Sequence, residues 1–169
     1  MPLLCDLYGD LCDAFSSPLI HMGGDEAIAL GKGATKGEAD KFGAHRLFAR
    51  HLKRVRDFVA KRGRRLVCWA DPFEPNFFKP FGFENYGLEG LNQIPRDVLL
   101  ASWHYGLMDE FPFGAQAAEM GFELQLWSAM GSHELLPTLE AAARNVESFI
   151  PHAHRLGVLG AIHSHWGDV

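Results

Sequence analysis

The hydrophobic pattern of this chain switches repeatedly between the period of a helix and the period of a strand. Residues 3–15 carry Leu4, Leu7, Leu11 and Phe15 at helical spacing, and Ser16-Ser17-Pro18 closes the segment. A short apolar strand is predicted over 19–22, then a loop over 31–37 rich in Gly and Lys. From Glu38 to Arg62 the spacing of Leu47, Phe48, Leu52, Val55, Phe58 and Val59 predicts one long amphipathic helix, with Gly63 as its stop. Further strands are predicted over 65–69, 97–103, 122–127 and 158–166. Between them lie a Pro/Phe/Gly-rich loop at 71–95, a short helix at 114–120, and a helix at 138–156 that Pro151 bends or interrupts. Strand and helix thus alternate about five times, the pattern of parallel strands joined by helical crossovers. The fold expected is α/β.

The ends of the predicted strands carry the chemistry. Four of them close on tryptophan, at Trp69, Trp103, Trp127 and Trp166. The remaining one runs into His21-Met22-Gly23-Gly24-Asp25-Glu26. Glycine lets a backbone turn sharply or approach a ligand, so this block presents two adjacent acids at the mouth of a sheet. In parallel α/β barrels the active site lies at the C-terminal ends of the strands. Paired carboxylates in different environments are equipment for splitting an acetal. Flat aromatic walls suit a pyranose ring, whose C–H faces stack on indole.

Composition narrows the classes. The chain has 169 residues, 47% hydrophobic and 22% charged, enough for one domain with a real core. A net charge of -5 with no basic stripe argues against nucleic acid and anionic membrane as partners. No apolar run reaches the ~20 residues of a membrane helix. The start, Met-Pro-Leu-Leu-Cys-Asp, lacks the features of a signal peptide, and the three cysteines (Cys5, Cys12, Cys68) lack a zinc-like spacing. A reduced, cytoplasmic setting is the simplest expectation.

His-Met-Gly-Gly-Asp-Glu resembles the signature of glycoside hydrolase family 20, the β-N-acetylhexosaminidases. Cys-Trp-Ala-Asp-Pro-Phe at 68–73 and Ser-His-Trp-Gly-Asp at 164–168 follow in the order of its bacterial N-acetylglucosaminidase-like branch. The resemblance implies a (β/α)8 TIM-type barrel of which this chain supplies strands four to eight. A typical barrel needs about 250 residues. Residues 1–169 would then form a single, partial catalytic domain. Its open sheet edge is expected to favour poor solubility or a homodimer.

The resemblance also implies roles. The substrate's own 2-acetamido oxygen attacks the anomeric carbon, so no cofactor or metal is required. Glu26 is the expected general acid and then base, buried in an aromatic pocket beside Asp25, which favours its protonated form. Asp25 would orient the acetamido N–H. Tyr105 is the best candidate for holding the acetamido oxygen, because the family's usual Tyr-x-Asp element is absent around Leu126-Trp127-Ser128. Trp103, Trp127 and Trp166 would wall the sugar, and Asp168 would accept bonds from its hydroxyls. Trp69 would stand beside Asp71, which lines the rim or supports Glu26. His21 is either support for the acid turn or a satisfied core histidine. The ligand implied is an amino-sugar oligosaccharide or glycoside.

Two other readings of the residues stay open. His163 and His165 share a strand face, and with His104, Asp71, Asp25 and Asp168 they suggest a zinc-dependent barrel hydrolase. Alternatively, a truncated barrel keeps the aromatic wall and binds sugar without turnover.

Overall fold

The computed structural model describes residues 2–83, 85–130 and 139–166. They fall into two compact units, Met1–Leu99 and Leu100–Val169.

In the first unit, helix α1 (Pro2–Ala14) leads to strand β1 (Leu19–His21). Helices α2 (Lys36–Phe42) and α3 (Ala44–Ala60) cross over to strand β2 (Arg65–Trp69). A short helix, α4 (Gly87–Leu91), lies in the loop that follows. The crossover makes β1 and β2 parallel, with Leu19 opposite Arg65 and His21 opposite Val67. β2 is buried along Leu66, Val67 and Cys68, as a strand covered on both faces must be. α3 buries Leu47, Phe48, Leu52, Val55 and Val59 on one stripe. Each such side chain contributes about 1.5–3 kcal/mol of burial. Cys12 and Cys68 are buried, as their apolar neighbourhoods predict.

The single long helix predicted over Glu38–Arg62 is two helices. Gly43 separates them with φ +85°, and its N–H donates to the Ala39 carbonyl at 2.7 Å. A glycine in this conformation ends a helix, and the chain restarts one residue later. The 71–95 loop is also more ordered than its composition suggests, since it holds α4 and a 3-10 turn at Lys79–Phe81. α1 forms as predicted, but its stripe does not turn inward. Gly9 and Cys12 are its buried positions; of the stripe, Leu4 is half-buried while Leu7, Leu11 and the following Phe15 are exposed, as is Leu3 beside it.

In the second unit, strands β3 (Leu99–Trp103), β4 (Leu124–Ala129) and β5 (Gly160–Ser164) are joined by helices α5 (Pro112–Glu119) and α6 (Leu139–Leu156). β4 pairs in parallel with β3 and with β5. α6 runs uninterrupted through Pro151. Pro151 and Glu147, whose carbonyl loses its helical partner to the missing N–H, are both exposed.

The fold is α/β, of the (β/α)8 barrel type in partial form. Among the described residues, no helix is long and apolar enough to cross a membrane.

Candidate active site

In the first unit, the chain leaves β1 at His21 and turns through Gly23 (φ +75°) and Gly24 (φ +90°). A Cβ on Gly24 would stand 3.2 Å from the Phe48 ring, so the turn lies close against α3. The turn delivers Asp25 and Glu26, both exposed. The burial expected around Glu26 is therefore absent from its surroundings. Exposure follows from the position of the pair on a turn whose inner side is glycine.

The backbone beneath the acids is fixed. Glu26 has φ +47°, a left-handed conformation that a glutamate rarely adopts. Its N–H donates to Asp71 Oδ2 at 2.8 Å, and Asp71 is only 1% exposed. The next carbonyl, of Ala27, accepts from Tyr86 Oη at 3.0 Å. The Tyr86 ring packs on Phe48 at 5.2 Å. Burial, then the nearby Asp71 charge, pushes the Tyr86 hydroxyl up to about 12, so it remains a neutral donor at physiological pH. Asn85 Nδ2 donates to the Asp71 carbonyl at 3.3 Å. Asp71 thus holds the backbone N–H of Glu26.

His21 braces the start of the turn. Its Nδ1 accepts the Gly23 N–H at 2.9 Å, and its ring lies 4.5 Å from that of Trp69. Burial lowers its pKa to about 4, against the opposing pull of the Asp25 carboxylate. The ring is therefore neutral near pH 7, with Nδ1 as the acceptor that Gly23 requires.

The second unit holds Trp103, Tyr105, Trp127 and Trp166. Trp103 ends β3 and lies opposite Trp127 in the sheet register. Tyr105 follows, its ring 5.0 Å from that of Trp103. Trp166 Nε1 donates to Tyr105 Oη at 2.7 Å. Trp127 Nε1 donates to Gln125 Oε1 at 3.0 Å. The regular placement of tryptophan at strand ends is only partly kept. β4 continues past Trp127 to Ala129, and Trp166 lies beyond the end of β5 at Ser164. Asp168 lies outside the described residues.

Two supporting residues escaped the sequence reading. Tyr86 sits in a loop without periodicity, where nothing marks one aromatic from another. Asn145 had a visible signal, because it is an amide on the buried stripe of α6, between Ala142 and Phe149. For the zinc arrangement, no group of three His, Cys, Asp or Glu side chains among the described residues is placed to hold a metal ion. His163 Nδ1 instead lies 2.8 Å from Ser128 Oγ.

Comparison with known proteins shows the family and the fold. Residues 1–128 match the model of the glycosyl hydrolase family 20 catalytic domain. An exo β-N-acetylglucosaminidase from Vibrio harveyi, solved with N-acetylglucosamine, matches with TM-score 0.62 and 16% identity over 99% of this chain and 27% of its own. A β-N-acetylhexosaminidase from Bacteroides fragilis matches with TM-score 0.62 and 20% identity, covering 98% of this chain and 34% of its own. Dispersin B matches with TM-score 0.55 and 18% identity, covering 99% and 51%. The chain thus spans about a quarter to a half of these structures. Among curated proteins, none matches by sequence.

Proposed function

The chain belongs to glycosyl hydrolase family 20, and from that premise we propose that it is a glycosidase, a retaining exo-β-N-acetylhexosaminidase. Its substrate class is a glycoside or oligosaccharide ending in N-acetylglucosamine or N-acetylgalactosamine. The observation that carries the reading is the Gly23–Glu26 turn at the end of β1, with the Glu26 amide bonded to buried Asp71.

The chemistry proceeds in two steps. The 2-acetamido oxygen forms a bond to the anomeric carbon as the glycosidic C–O bond breaks. The departing electron pair goes to the leaving oxygen, which takes a proton from Glu26. The sugar is left as a cyclic oxazolinium ion. Asp25 accepts the acetamido N–H and offsets the positive charge that develops. Glu26, now a carboxylate, takes a proton from water, and the water oxygen attacks the anomeric carbon. The acetamido group is released and the configuration is retained.

Tyr105 donates its hydroxyl to the acetamido oxygen. A hydroxyl that itself accepts a hydrogen bond is a better donor, and Trp166 supplies that bond. Trp103, Trp127 and Trp166 provide ring faces for the sugar, and Asp168 accepts from its hydroxyls. His21 and Asp71 bond the turn, so they act as positioning residues. Trp69 supports His21.

One observation favours a second reading, a sugar binder without turnover: Asp25 and Glu26 are exposed, not enclosed in a pocket. Glu26→Gln separates the two. Turnover of a chromogenic N-acetyl-β-glucosaminide should fall by about 10²–10⁴-fold, the usual contribution of a general acid. Binding of N-acetylglucosamine without turnover in the unaltered chain would leave only the binder.

A further inference from the structure

The loop that follows β3 is gripped by one face of α6. Asn145, fully buried, donates from Nδ2 to the His104 carbonyl at 2.9 Å and to the Gly106 carbonyl at 2.7 Å. These are the two carbonyls that flank Tyr105. Its Oδ1 accepts the N–H of Ala129, the last residue of β4, at 3.4 Å. Ser148 Oγ accepts the Met108 N–H at 2.9 Å, and His152 Nε2 meets the Met108 carbonyl at 3.0 Å. The Phe149 ring packs edge-on against His104 at 5.1 Å. Residues 145, 148, 149 and 152 share one helix face, since positions three and four apart are neighbours.

An amide inside a helix does little for that helix, and burying it is costly unless every donor is matched. An apolar residue would pack α6 as well. Asn145 instead matches both N–H donors to carbonyls on either side of a single residue. With both ends held, Tyr105 cannot shift without breaking one of these bonds. Its ring is held in turn by Trp103 and the Trp166 indole.

We propose that Asn145 is a positioning residue for catalysis, fixing the backbone on both sides of Tyr105 and so aiming its hydroxyl at the substrate's acetamido oxygen. This rests on the role given to Tyr105 above. A misplacement of about 1 Å at such a group costs about 10²-fold in rate.

The test is a double-mutant cycle with Asn145→Ala and Tyr105→Phe. It is read in kcat on the chromogenic N-acetyl-β-glucosaminide and in Kd for N-acetylglucosamine by tryptophan fluorescence. Asn145→Ala should lower kcat by about 10- to 10²-fold with a smaller change in KM. In the Tyr105→Phe background Asn145→Ala should add nothing, because the side chain being aimed is already disabled. Multiplying effects would make Asn145 a structural residue only and overturn the inference, as would an unchanged Asn145→Ala. If Asn145→Ala does not fold, Ser148→Ala, which releases the same loop at Met108, must show the same non-additivity on a smaller scale, and full additivity there overturns the inference too. In a chain without turnover, the Kd cycle decides by the same criterion. Should Tyr105→Phe alone leave both kcat and Kd unchanged, the role of Tyr105 fails first and the inference falls with it. A chain that neither turns over nor binds the sugar overturns the reading of the site itself.

Discussion

Glu26 holds a backbone conformation that costs on the order of 1–3 kcal/mol for a residue with a side chain. A hydrogen bond to a charged acceptor contributes about 1.5–3 kcal/mol, so the bond to Asp71 is of the size needed to offset it. Asp71→Ala should therefore lower kcat by about 10²-fold through misplacement of Glu26. Asp71→Asn keeps an acceptor oxygen and should lose much less, so equal losses in the two variants would contradict the role. His21 gives a pH signature. Its folded pKa of about 4 lies below the ordinary 6.5, so the unfolded chain binds the proton first as pH falls. The stability gained from the neutral ring is full above about pH 6.5, declines by up to about 1.4 kcal/mol per unit toward pH 4, and declines no further below that. Urea unfolding at several pH values should show this slope reduced in His21→Gln, and an unchanged slope would sink the assignment. The acids were legible in sequence because Gly-Gly-Asp-Glu is local. The partner that fixes Glu26 was less so, since it lies 45 residues away and only the fold brings it near.

At the scale of elements, long periodic segments were read well, and their breaks were not. The stripe from Leu47 to Val59 predicted α3 because burial there is continuous. The same stripe hid the break at Gly43, which periodicity alone cannot distinguish from a tolerated helical glycine. A Cβ at Gly43 would stand 2.6 Å from the His45 ring, at a φ that side chains disfavour. Gly43→Ala should cost about 1–3 kcal/mol in urea unfolding. A neutral result would mean the two helices can fuse. Arg64 joins elements in a way no pattern reveals. Its guanidinium donates to the carbonyls of Cys12, Phe15, Ser16 and Ser17, which closes the C-terminal end of α1 and leads it into β1. Pro151, expected to bend or interrupt the helix, does not end it: α6 continues through it, with Pro151 and Glu147 both exposed.

Across the whole molecule, the α/β alternation was legible, because five strands and their crossovers each leave a separate trace. The outward stripe of α1 was not, since a helical period says which residues share a face and not what covers it. Leu3 is 70% exposed and Phe15 59%, alongside Leu7 and Leu11. Apolar faces of this kind associate. The chain is expected to self-associate, and Leu7→Lys with Leu11→Glu should lower its mass in light scattering. A monomer before and after the change would contradict that. The central claim is that the turn at Asp25 and Glu26 works with the substrate's own acetamido group. The most direct measurement compares kcat/KM for a chromogenic N-acetyl-β-glucosaminide with that for the matching β-glucoside, which lacks the acetamido group. The account predicts turnover of the first and a rate lower by about 10³-fold or more for the second, the scale at which a well-oriented internal nucleophile acts. Equal rates on the two substrates would contradict it.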